Sequence, residues 1–150
     1  MTRPRICASR VSDDDGSVLV EFAFALPLLL LVIVGIFDFG FAFQKYQVLT
    51  NAAREGARMA VLTGYSTADV QGRVAAYLTT GGAGGTPTTT VVDEVLTPVS
   101  GPSFTAKKVT VTLTHTFSYL GPIATLFGGS FGTVTLTAIS EMRTEVAGGG

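Results

Sequence analysis

Hydrophobic positions are unevenly distributed along the chain. From Val18 to Phe43, 21 of 26 residues are apolar, interrupted only by Glu21, Pro27, Gly35, Asp38 and Gly40. As a helix this stretch would be ~39 Å long at about 1.5 Å per residue, more than the ~30 Å hydrocarbon core of a bilayer. Its uncharged centre, Phe22 to Phe37, is 16 residues. The rest of the chain is too small to bury such a rod, so the pattern predicts a single transmembrane helix over residues 17–43. The helical period continues beyond it: Leu49, Ala52, Ala53, Gly56, Ala57 and Ala60 share one face, with Asn51, Arg54, Glu55 and Arg58 on the other. An amphipathic continuation over 44–64 is expected, with Gly64 as its C-cap.

The remaining pattern predicts a small domain over 65–146. Ser66-Thr67-Ala68-Asp69 reads as a capping box opening a short helix to about Leu78, with Val70, Val74, Tyr77 and Leu78 on its apolar face. Gly81 to Pro87 reads as a flexible loop, because a phosphate cradle needs a strand before it and a helix after it. Thr88–Leu96, Lys107–Tyr119 and Gly132–Arg143 read as strands. The second alternates Val109, Val111, Leu113, His115, Phe117 and Tyr119 against threonines and Ser118. The third sets Val134, Leu136 and Ala138 opposite Thr133, Thr135 and Thr137. These two should pair antiparallel, with Ile123–Phe127 a short turn or helix between them. The fold class is α+β: a long N-terminal helix, a short second helix and a small antiparallel sheet. Residues 147–150 should form a frayed tail.

Composition narrows the function. The 150 residues carry 10 basic and 11 acidic side chains, a net charge of −1, which argues against an electrostatic nucleic-acid binder. One Cys and one His exclude a disulfide framework and a Cys/His zinc site. His115, on an apolar strand face, reads as a core or boundary residue. Asp93 and Glu94 are strand neighbours and point to opposite faces, so they do not converge on a metal. Lys107-Lys108 reads as a solvated strand start. No catalytic set, metal site or cofactor is expected.

The junction ahead of the apolar run is more specific. The run is too long for a cleaved secretory signal and no A-x-A pattern closes it, so it reads as a retained anchor. Arg3, Arg5 and Arg10 on one side match Lys45, Arg54 and Arg58 on the other, so charge does not fix orientation. Gly16-Ser17 precedes the run and Glu21 lies inside it, either reaching to the headgroups or meeting a partner in an assembly. Asp38 reads first as an interface carboxylate ending the span, and second as a contact with a partner helix. The small-residue face at Ala53, Gly56, Ala57 and Ala60 reads first as packing against the chain's own sheet, and second as a close approach for another helix.

Gly16-Ser17-Val18-Leu19-Val20-Glu21-Phe22 resembles a prepilin cleavage motif of the type IV pilin class. With Pro27, Asp38 to Gly40 and Asn51-Ala-Ala-Arg-Glu-Gly-Ala-Arg-Met-Ala60, it is similar to the TadE-like family of pseudopilins of tight-adherence (Flp) pilus systems. The resemblance implies a pilin-like layout. It also implies a cytoplasmic leader over residues 1–16 and cleavage between Gly16 and Ser17 by a membrane prepilin peptidase. The C-terminal domain would lie outside the cytoplasmic membrane. Glu21, with Phe22 beside it, would set register by pairing with a neighbouring subunit's new amino terminus. Cleavage would remove Cys7. The implied partners are membrane lipid, the prepilin peptidase, other pilins or pseudopilins and the pilus assembly platform. The alternative is an unprocessed, single-pass exported binding domain; a membrane enzyme has almost no support.

Overall fold

The structure is a computed structural model, and it describes residues 13–97, 100, 103–126, 128–129 and 132–144. The expected leader up to Ser12 and the tail at 147–150 lie outside the described residues. Element order is α1 (Asp13–Ala60), α2 (Thr67–Thr80), β1 (Thr88–Leu96), β2 (Phe104–Thr116), α3 (Leu120–Leu126) and β3 (Thr133–Arg143). The fold is α+β, with an antiparallel sheet in the order β1-β2-β3.

The apolar run and its amphipathic continuation form one 48-residue helix with Pro27 inside it. Its described part already includes Asp13–Asp15, ahead of the apolar pattern. It ends at Ala60 rather than at Gly64. Val61 and Leu62 close the last turn through N–H bonds to Ala57 O (3.3 Å) and Met59 O (3.1 Å), and Gly64, at φ 97°, serves the turn that follows. The chain then enters α2 through the capping box: Asp69 N–H donates to Ser66 Oγ (3.3 Å) and Ser66 N–H donates to the Asp69 carboxylate (2.8 Å). The Ser66 hydroxyl and amide hold the Asp69 carboxyl below its ordinary value.

The core lies where the second half of α1 meets α2 and the sheet. Leu49, Ala52, Ala53 and Ala57 from α1, Val70 and Val74 from α2, and Val109 and Val111 from β2 are all buried there. Small residues on α1 let α2 approach closely. At Gly56 an added Cβ would lie 2.7 Å from Val74 Cγ2 and 3.3 Å from Val109 Cγ1, so only glycine fits without displacement.

The strands depart from the alternation in three places. β2 runs from Phe104 to Thr116, so Lys107-Lys108 lies within the strand. Lys107 pairs with Asp93, and Lys108 lies 3.2 Å from both Glu94 and Glu141. Hydrogen bonding to Glu94, then to Glu141, raises the Lys108 pKa. At the other end, Phe117 and Tyr119 lie beyond the strand, and Tyr119 is exposed rather than part of the buried face. On β3, Ala138 is buried and Leu136 half-buried, but Val134 is exposed, since the helices cover the middle of the sheet more fully than its β3 corner.

Candidate functional site

The first half of α1 presents an open apolar surface. Every residue from Gly16 to Ile33 is exposed, including Val18, Leu19, Phe22, Phe24 and Leu28. The helix is long and apolar enough to cross a membrane, and none of its most apolar stretch is covered by the rest of the chain. An apolar surface of this size, interrupted by a single charged residue, Glu21, marks a membrane or protein contact.

Gly16 and Ser17 lie in the first turns of α1, both exposed, and Cβ space at Gly16 is open. Glu21 lies one turn further on, exposed beside Phe22, and makes no ion pair among the described residues. These four residues share one short stretch of helix that faces away from the domain.

The other candidate positions lie elsewhere. Ala53, Gly56 and Ala57 are buried against α2 and β2 of the same chain, and Ala60 is half-buried. That face is therefore filled by the protein's own domain and offers no groove to a second helix. Asp38 departs from both of its sequence readings. It is 1% exposed, and its carboxylate accepts hydrogen bonds from Tyr119 N–H (3.0 Å) and Leu120 N–H (2.6 Å). It neither faces the headgroups nor waits for a partner helix; it fixes the β2–α3 corner to α1. The signal for this was the end of the strand alternation at Ser118-Tyr119 beside Gly121-Pro122, which marks a turn whose N–H groups need acceptors.

His115 is buried next to this corner, 4% exposed, with neither ring nitrogen hydrogen-bonded among the described residues. Its ring meets Phe117 edge-on at 5.2 Å, and Phe117 stacks at a tilt on Phe39 of α1, 5.6 Å away. Burial, then the charge of Lys45, depresses its pKa, while Asp38 opposes the shift. Among the described residues neither ring nitrogen has the orienting hydrogen bond that general-base chemistry needs.

A cavity of about 350 Å³ is lined by Glu55, Arg58, Met59, Leu62, Tyr65 and Arg73. Within it Arg73 donates to Glu55 at 3.2 Å. Among the described residues no three His, Cys, Asp or Glu side chains gather at one point.

Residues 16–58 match the family model of TadE-like protein. The matched segment begins at the glycine of the junction, contains the whole apolar run, and ends in the last turn of α1. α2 and the sheet lie outside it. The TadE-like match fits a membrane protein related to Tad pili, a family not known as enzymatic. No curated protein and no solved structure matches the chain. The exposed apolar helix at the N-terminal end suggests a membrane anchor, in keeping with the TadE-like match.

Proposed function

We propose that this chain is a membrane-anchored TadE-like pseudopilin, cut between Gly16 and Ser17 by a prepilin peptidase. It acts in assembling a tight-adherence (Flp) pilus or related secretion filament. The N-terminus is cytoplasmic, the helix crosses the cytoplasmic membrane once, and the domain from α2 onward lies outside. The observation that carries this reading is the helix from Gly16 to Ile33, exposed throughout, with a single acid, Glu21, near its start.

Cleavage after Gly16 gives Ser17 a new α-amino group, five residues into the described helix. In an apolar bundle a lone carboxylate is expensive, and far less so when paired with a cation. Glu21 and the amino terminus of a neighbouring subunit satisfy one another only at one longitudinal offset. The pair therefore sets register, while Phe22 and the flanking apolar residues supply contact area. Other pilins or pseudopilins and the assembly platform are the partners of this helix.

The test is the intact mass and N-terminal sequence of the protein taken from membranes. A chain beginning at Ser17 supports the proposal. A chain beginning at Met1 overturns processing and favours an unprocessed anchored binding domain.

A further inference from the structure

The corner held by Asp38 has a composition unlike the rest of the domain. Asp38 is the only charged residue between Phe22 and Phe43, and it is turned inward onto Tyr119 and Leu120. The outward surface of α1 is therefore free of charge over 22 residues, ~33 Å at about 1.5 Å each, close to the ~30 Å of a bilayer core. Its outer end carries four exposed aromatics, Phe37, Phe39, Phe41 and Phe43. Asp38 and Phe39, which hold the β2–α3 corner, lie within this band. A domain attached at that level must itself meet the lipid surface.

The domain is divided accordingly. No charged residue occurs between His115 and Glu141. The charges of the sheet, Asp93, Glu94, Lys107, Lys108, Glu141 and Arg143, are grouped at the opposite end of the strands. From Lys108 to Thr116 is eight residues along β2, roughly 26 Å at about 3.3 Å per residue. At the uncharged end Phe117 packs on Phe39, Tyr119 is 55% exposed, and Pro122 and half-buried Ile123 follow. A tyrosine with its ring exposed beside an aromatic helix girdle is the arrangement that interfacial belts use.

We propose that the corner Phe117–Ile123 rests in the lipid–water interface of the outer leaflet, with Tyr119 as its anchor. The domain is then held upright, its charged strand ends away from the membrane. The partner is a neutral lipid surface, because Phe117–Ile123 itself carries no charge to bind an anionic headgroup and its apolar surface is continuous with that of α1. The proposal rests on the membrane-anchor reading above.

The experiment uses the full chain with Cys7→Ser, in phosphatidylcholine vesicles. Single fluorophore-labelled cysteines are placed at Ser118→Cys, exposed in the corner beside the intact Tyr119, at Leu30→Cys in the apolar run and at Thr112→Cys on the sheet. Quenching is read with nitroxide lipids labelled near the headgroup or deep in the acyl chain, and with aqueous iodide. The Ser118 position should lose most of its emission to the shallow nitroxide and be shielded from iodide. Leu30 should respond to the deep nitroxide and Thr112 only to iodide. If Leu30 responds to neither lipid label, the anchor reading fails and this proposal with it. If Leu30 is quenched by lipid but Ser118 stays open to iodide, the membrane anchor stands and the interfacial corner is overturned. Shielding from iodide without lipid quenching would mean that a second copy of the chain covers the corner, which also overturns it.

Discussion

Asp38 and Leu120 are joined by a 2.6 Å hydrogen bond from backbone N–H to carboxylate, between residues 82 positions apart in the chain. With the Tyr119 N–H bond at 3.0 Å, it ties the start of α3 to the middle of α1. A carboxylate accepting from backbone amides makes stronger bonds than a neutral acceptor does. Here it also satisfies a turn that the ladder of β2 has just abandoned. Asp38→Ala leaves two part-buried N–H groups without an acceptor, at about 1–3 kcal/mol for each group left unpaired. The expected outcome is faster amide hydrogen exchange at Tyr119 and Leu120, with exchange in the Val109–Leu113 core little changed. Asp38→Asn, which keeps one acceptor oxygen, should lie between the two. Unaltered exchange at the corner in the alanine variant would remove Asp38 as the tie.

Gly56 is fixed by space rather than by backbone conformation. Alanine in a helix interior normally gains about 1 kcal/mol over glycine. At this position its methyl would lie 2.7 Å from Val74 Cγ2, on a fully buried, β-branched side chain with little freedom to withdraw. Overpacking of this kind costs about 1–3 kcal/mol, so Gly56→Ala should lower the thermal midpoint in detergent. Val74→Ala in the same chain should restore part of the loss, because the two sites share one volume. A variant as stable as the parent would mean that α1 and α2 are less tightly apposed than their geometry states.

His115 gives the domain an acid-sensitive side. Burial depresses its pKa, and Lys45 adds to the shift. Below the ordinary value of 6.5 the unfolded chain takes up a proton that the folded chain resists. Stability is thus fully present above 6.5 and declines as pH falls from there toward the depressed folded value. Thermal midpoints should drop between pH 7.5 and 5. In His115→Leu that drop should shrink, and stability at pH 7.5 should hold, since neither ring nitrogen has a partner to lose. An equal pH dependence in both proteins would place the sensitivity elsewhere.

The parts of the fold that depend on local pattern were legible in the sequence. The Ser66–Asp69 capping box and the buried alternation of Val109, Val111 and Leu113 follow from spacing, and β1 from Thr88 to Leu96 from its β-branched composition between breakers, because all three are properties of neighbouring residues. Asp38 was not legible. Its flanks, Phe37 and Phe39, read as membrane surface, and its partners are backbone amides more than 80 positions away: the turn at Ser118-Tyr119 marks amides in need of an acceptor but not which residue supplies it. The outer ends of β2 and β3 were misread for a related reason. Alternation persists through Tyr119 and Val134, but it states only which face a residue takes, not whether a helix extends far enough to cover it. The junction at Gly16–Glu21 stood out by motif alone. There the fold adds exposure, since nothing among the described residues covers these positions.

Processing at the junction should depend on the size of residue 16. Gly16 carries no side chain and sits exposed in the helix, so a substitution there has room in the folded chain and does not perturb it. In Gly16→Leu the chain should insert in membranes as before but keep its leader, visible as slower gel mobility than the cleaved parent. Identical mobility, with cleavage established in the parent, would remove this residue from the recognition.

Glu21 should matter for association and not for insertion. A carboxylate in the bilayer centre costs about 2.5–3.5 kcal/mol on insertion scales, and less near the edge. Glu21→Ala should therefore leave membrane recovery unchanged or improve it. Capture of partner pseudopilins by the tagged protein should fall, because the variant leaves a neighbour's amino terminus without its counter-charge. If that terminus is supplied by cleavage at Gly16, blocking cleavage in the partner removes the same interaction from the other side. A cycle between Glu21→Ala in one subunit and Gly16→Leu in its neighbour should then be strongly non-additive, the double variant being little worse than either single one. Losses that simply add would show that Glu21 and the new amine act separately, and undiminished capture by Glu21→Ala alone would remove the acid from assembly.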